Sequence, residues 1–208
     1  MNSLNQTGTK FMAVAALSLV VTGCAPRGIQ VARVAADTQT DLSGKWNDTD
    51  AKLVSKALIS DCFDSPWLIQ FVESYGKRPA VRVRSVVNKT DEHIDSQVFI
   101  KNIEKAMINS GKVRVLAQAG AELGAVESEQ DRAASGRLSD DSDVSIGNET
   151  GANYVVAVRV TSILDQVQGK KAKFYKVNFE LLNSTSGEKA WIGDHEIKKL
   201  ISQGSVSW

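Results

Sequence analysis

Between residues 153 and 197 apolar and charged side chains take turns along the chain. Val156, Val158 and Val160 oppose Arg159, and Tyr175, Val177, Phe179 and Leu181 oppose Lys176 and Glu180. Successive side chains of an extended backbone point to opposite faces, so such alternation marks strands with one buried and one polar face. Three strands are expected, at about 153–163, 172–183 and 189–197. Gly169-Lys170-Lys171 and Ser184-Thr185-Ser186-Gly187 supply hairpin-type turns between them, which predicts an antiparallel meander. The same pattern occurs earlier, where Val81 and Val83 oppose Arg82 and Arg84 in a strand over 80–87, and Val113 and Val115 oppose Arg114 in one over 112–116. A strand buried on both faces would be continuously apolar. Helices should therefore cover one side of the sheet, leaving the other to Arg82, Arg84, Arg114, Arg159 and Lys176. Two readings of that side stay open, a solvated polar face and a basic platform for an acidic protein surface or an anionic polymer.

Helix signals fill the gaps. Asn47, Asp48 and Thr49 are plausible caps for a helix over about 49–62, whose apolar stripe of Leu53, Val54, Ala57 and Leu58 continues to Cys62. Pro66 suits the first position of a second helix that Gly76 follows, with Trp67, Phe71 and Tyr75 as its buried edge. Asp95 or Ser96 caps a third, with a stripe of Phe99, Ile103, Ala106, Met107 and Ser110 and Gly111 after its end. A helix between two strands implies that the strands at 80–87 and 112–116 run parallel. Residues 118–135 are helix-compatible, and the acidic stretch 136–151 should hold a loop and a short helix ending at Gly151. The expected fold class is α/β, a single two-layer domain with a mixed sheet of about five strands and flanking helices.

The amino terminus has a different logic. Lys10 precedes an apolar run from Phe11 to Val21, and Thr22-Gly23 lead into Cys24. The run is about half the ~20 apolar residues of a membrane-spanning helix, which suits a secretory leader. Ending on Val21-Thr22-Gly23-Cys24, it resembles a bacterial lipobox, which implies cleavage before Cys24 and lipid on its sulfur. The alternatives are an ordinary signal peptide with an incidental cysteine, or a buried core segment. The lipoprotein reading divides the chain into a signal peptide (1–23), a lipidated cysteine with a flexible tether (24–40) and a globular domain (41–208). Residues 25–40 show no apolar periodicity and span at most ~55 Å fully stretched.

One of the 25 basic residues and none of the 24 acidic ones precede Cys24, so the remainder is formally neutral. That balance gives no global attraction to nucleic acid. Only two cysteines occur. With Cys24 assigned to lipid, Cys62 stands alone beside Asp61 and Asp64, which oppose thiolate formation, and is expected as a small buried hydrophobe.

Catalytic signatures are missing from the sequence. His93 lies in a polar loop, and Asp194-His195-Glu196 sends its carboxylates to one strand face and the imidazole to the other, which is wrong for a shared metal. Asp48 and Asp50 are more simply helix-capping residues than an acid/base pair. No phosphate-binding glycine loop or nucleophile elbow occurs. A binding protein without cofactor or metal is expected, not an enzyme.

Longer phrases carry a family resemblance. Asp41-Leu42-Ser43-Gly44-Lys45-Trp46-Asn47-Asp48-Thr49-Asp50 resembles the signature of LpoB-type penicillin-binding protein activators. So do Val87-Asn88-Lys89-Thr90 with Glu92-His93-Ile94-Asp95, Ile108-Asn109-Ser110-Gly111-Lys112-Val113-Arg114-Val115, and the strands Phe174–Glu180 and Trp191–Lys199. The resemblance covers nearly all of residues 41–201. It implies an outer-membrane lipoprotein facing the periplasm that binds a bifunctional, class A penicillin-binding protein and stimulates peptidoglycan synthesis. It also implies a domain related to the amino-terminal domain of TolB. It stops at the tether, which is long and proline-rich in the best-known activators and short here. The other functional expectation is a structural or docking subunit of an outer-membrane secretion or transport assembly.

Overall fold

The alternating segments pair into one five-stranded sheet, in the order β2 (Arg114–Val115), β1 (Ala80–Lys89), β3 (Tyr154–Val167), β4 (Lys170–Asn183) and β5 (Lys189–Ser202). The structure is a computed structural model, and it describes residues 31–35, 38–139 and 141–202. By contacts the chain divides into Met1–Ala35 and Ala36–Trp208. The second unit holds all the regular elements among the described residues. The expected signal peptide, Cys24 and most of the expected tether lie outside them.

Helix α1 (Asp48–Asp64) starts at a reciprocal cap. The Asn47 side chain accepts from the Asp50 N–H at 3.1 Å, and the Asp50 carboxylate accepts from the Asn47 N–H at 2.9 Å, satisfying two otherwise orphaned donors. Helix α2 (Pro66–Tyr75) begins on its proline and ends at Gly76, whose φ of 61° is the left-handed cap that glycine adopts without strain. Helix α3 (Ser96–Ser110) is capped by the Asp95 carboxylate, and α4 is Ala121–Ala134. Strand β1 (Ala80–Lys89) pairs in parallel with the two-residue β2 (Arg114–Val115) and with β3 (Tyr154–Val167). Strands β3, β4 (Lys170–Asn183) and β5 (Lys189–Ser202) form the antiparallel meander.

The core lies between the sheet and a layer in which α1 packs on α3 and β5 while α3 packs on β1. Val81, Val83, Val156, Val158, Val177, Phe179 and Leu181 meet Val54, Leu58, Phe99, Ile103 and Met107 there. Cys62 is fully buried in this cluster, and desolvation first, with the nearby Asp61 charge adding, pushes its thiol up to about 12.

Several expectations need correction. Tyr75 and Leu53 are mainly exposed, because α2 and α1 each present a narrower apolar stripe than the spacing suggested. Ser110 is exposed and Ala106 half-buried, and α3 buries Ile100 and Glu104 alongside Phe99, Ile103 and Met107. Strand β2 is shorter than 112–116, while the meander strands run several residues longer than their apolar alternation. No helix forms among the described residues of 136–151, which adopt only turns.

Candidate docking surface

Cross-strand partners share a face, so the register places the expected basic residues. Ala80 is level with Arg114, Arg82 with Val155, Arg159 with Val87 and Asn178, and Lys176 with Thr161 and Glu196. Arg82, Arg114, Arg159 and Lys176 thus lie on the side of the sheet away from the α1–α3 layer. Arg84 alternates with buried Val83 and is exposed.

They do not make a uniform positive field. The Lys176 ammonium is 3.1 Å from both the Asp194 and the Glu196 carboxylates, which raise its pKa and cancel its charge locally. Arg82 is drawn into a groove of about 660 Å³ under α4 and the following loop, lined by Leu116, Leu123, Val126 and Val144. Its Nε is buried without a hydrogen-bond partner among the described residues. Helix α4 reaches this corner because Glu122 is ion-paired with Lys101 of α3, while Gln118 donates to Glu104 at 2.7 Å. Arg84, Arg114 and Arg159 have no ion-pair partner among the described residues, and Arg84 and Arg159 are exposed. Of the five expected basic residues, Arg84, Arg114 and Arg159, on β1, β2 and β3, are therefore the ones whose charge is neither paired nor drawn into the groove.

Two lysines that sequence reasoning passed over hold the entry of the chain into the domain. Lys199 of β5 donates to Asp41 at 2.7 Å and to the Lys45 carbonyl at 3.0 Å, and its ammonium is 2.7 Å from the Asp50 carboxylate. Lys173 of β4 donates to Asp91 at 2.6 Å and to Glu92 at 2.7 Å. Glu92 also accepts from the Tyr175 hydroxyl and, at 2.9 Å, from the Trp46 N–H. Burial lowers both lysine pKa values, yet the paired carboxylates outweigh it and hold them above the ordinary range. Burial likewise pushes Glu92 up, but the bonds from Lys173, Trp46 and Tyr175 prevail and hold it down.

Backbone and rings complete the clasp. Gly44 has φ 66°, and a Cβ there would clash with the Ile201 side chain. The Trp46 ring meets Phe99 and Tyr175 edge-on at 5.8 and 5.6 Å. The phrase from Asp41 to Asp50 is thus a structural clasp in which Asp50 both caps α1 and pairs with Lys199. The missed signal was a break in pattern, since Lys173 and Lys199 occupy positions where the alternation calls for core residues.

No group of three or more histidine, cysteine, aspartate or glutamate side chains capable of holding a metal ion occurs among the described residues. His195 sits level with Val177 on the inner side while Asp194 and Glu196 engage Lys176 on the outer one, as the alternation required. No helix among the described residues is long and apolar enough to cross a membrane.

A family model described as the peptidoglycan-synthase activator LpoB matches residues 50–197. No curated protein matches the sequence. Among solved structures, the LpoB C-terminal domain from Escherichia coli is 16% identical, with 74% of this chain and 99% of that chain covered and a TM-score of 0.42. The NMR structure of E. coli LpoB is 16% identical over 97% of this chain and 91% of that one, with a TM-score of 0.36. The PelC dodecamer from Paraburkholderia phytofirmans is 18% identical over 60% and 73%, with a TM-score of 0.32.

Proposed function

The chain belongs to the peptidoglycan-synthase activator LpoB family, and on that premise we propose that it is a lipid-anchored, non-enzymatic regulator of a bifunctional, class A penicillin-binding protein. Cys24 carries the lipid, and Ala25 after it, in place of an aspartate, favours the periplasmic face of the outer membrane. The family match over residues 50–197 is the observation that carries this reading. The tether bounds the geometry, because sixteen residues reach at most ~55 Å, so the synthase must present its docking domain within that distance of the anchor.

Contact with the synthase is assigned to the sheet face bearing Arg84, Arg114 and Arg159, with Arg82 and Lys176 at its margins. Exposed, unpaired arginines speed encounter with an acidic surface and weaken as salt screens them, over a Debye length of about 8 Å at physiological ionic strength. Arg84→Glu with Arg159→Glu should slow association with the synthase roughly tenfold at low salt and leave the melting curve unchanged. An unaltered on-rate would move the docking surface elsewhere. Cys24→Ala should release the folded protein from membranes, and a mass spectrum showing an unmodified Cys24 would refute the anchor.

A further inference from the structure

The far end of the open face differs in kind from the arginine end. Beyond the row of Thr161, Lys176 and Glu196, the register aligns Ile163 with Phe174 and Lys198, Asp165 with Ala172 and Leu200, and Val167 with Lys170 and Ser202. Leu200 is 80% exposed, Val167 70% and Ile163 65%, with half-buried Phe174 among them. Val167, Ala172 and Leu200 also line one shallow hollow at the β3–β4 turn. Single exposed apolar residues are ordinary, but several contiguous ones with a polar rim mark an interaction surface.

Charge and chain geometry narrow the occupant. Lys170 and Lys198 share the face of the patch, with Lys171 beside it at the turn, and none of the three has an ion-pair partner among the described residues; Asp165 is the acid within the patch. Aliphatic and aromatic side chains beside flexible lysines suit a lipid interface, where apolar groups enter the acyl boundary and lysines meet anionic headgroups. The chain also enters the domain at this end, on the helix side of the sheet. Asp41 is held by Lys199, the neighbour of Leu200, and Gly44 lies against Ile201. The segment upstream of Asp41 thus joins the domain at the same end of β5 as the patch.

We infer that the tip formed by the β3–β4 turn and the end of β5 is a membrane-contact surface that rests on an anionic phospholipid leaflet. The reach of this surface to a membrane rests on the lipoprotein reading, while its lipid affinity does not. Contact would orient the domain with the tip toward the lipid and the arginine end of the sheet away from it. That orientation would present the face assigned to the synthase.

The test uses the chain from residue 24 with Cys24→Ser, so that no acyl group is attached. Sedimentation with vesicles of phosphatidylethanolamine and phosphatidylglycerol should carry the protein down at low salt, and vesicles of phosphatidylcholine alone should carry much less. Val167→Asp with Leu200→Asp should weaken partitioning by about tenfold or more, and Lys170→Glu with Lys198→Glu should abolish the preference for anionic lipid. Asp165→Asn should strengthen binding. All these positions are exposed, and an unchanged melting curve would exclude misfolding as the cause. Absence of vesicle binding, or binding indifferent to Val167→Asp with Leu200→Asp, would overturn the inference. So would self-association, or synthase binding in lipid-free solution, that those substitutions abolish. Vesicle binding with native Cys24 found unmodified would support the surface while refuting the anchor.

Discussion

At Glu92 a single carboxylate meets the Lys173 ammonium, the Tyr175 hydroxyl and the Trp46 N–H, with only a tenth of its side chain exposed. Removing one member of such a buried pair leaves the other charge without adequate compensation, so the loss exceeds that of a surface bridge. Glu92→Gln should destabilise the domain by about 3–5 kcal/mol in urea unfolding. Combining it with Lys173→Met should recover part of that loss, because the stranded ammonium is gone. A cost near zero would mean that Asp91 alone satisfies Lys173. Phe179, fully buried and edge-on to Trp191 at 5.5 Å, should cost about 3–5 kcal/mol as Phe179→Ala. The alternation already identified that ring as core. It could not identify Glu92, since a carboxylate in a polar loop has no periodicity to betray its burial. Cys62 was legible for a simple reason, because its helical spacing and acidic neighbours both argued against a reactive thiol. Its native-state labelling by a thiol reagent should be limited by unfolding, and rapid labelling would contradict the packing.

Among the elements, the entry segment 41–47 depends most visibly on pH. The Lys199 ammonium beside Asp41, helped by Asn47 and Gln39, lowers its carboxyl from 3.8 to about 2. A carboxylate whose folded pKa is depressed contributes stability that is full above its ordinary value and lost as pH falls through the folded one. The contribution of Asp41 should therefore be intact above about pH 4 and gone near pH 2. Asp91 and Glu92, also held below their ordinary values, add in the same direction. Thermal melts across that range should show a steeper acid limb for the native protein than for Asp41→Asn, and parallel limbs would remove Asp41 from the linkage. Gly44→Ala should loosen the same segment, since it combines a positive φ with a clash at Ile201. The elements themselves were read well where caps and alternation were strong, as in α2 between Pro66 and Gly76. They were read poorly where neighbours decided. Strand β2 is only two residues long because its pairing with β1 covers Arg114 and Val115 alone, and the meander strands continue past their apolar alternation because each hairpin partner supplies hydrogen bonds to the turn.

For the molecule as a whole, one core joins α1, α3 and all but the edges of the sheet, so the chain from residue 38 should unfold in one cooperative step. Calorimetric and van't Hoff enthalpies should agree for it, and two resolved transitions would argue against a single domain. The sequence by itself determined the α/β class, the mixed five-stranded sheet, the buried face of each strand and the family phrases. Those features depend on spacing within a segment, and a period of two or of 3.6 residues is written directly in the chain. Tertiary structure alone decided what the second face is. Strand register set Lys176 against Asp194 and Glu196, α4 and its loop covered Arg82, and the long hairpin carried Ile163, Val167 and Leu200 into one exposed patch. Those outcomes depend on which residues become neighbours across strands, and no local periodicity encodes that partnership.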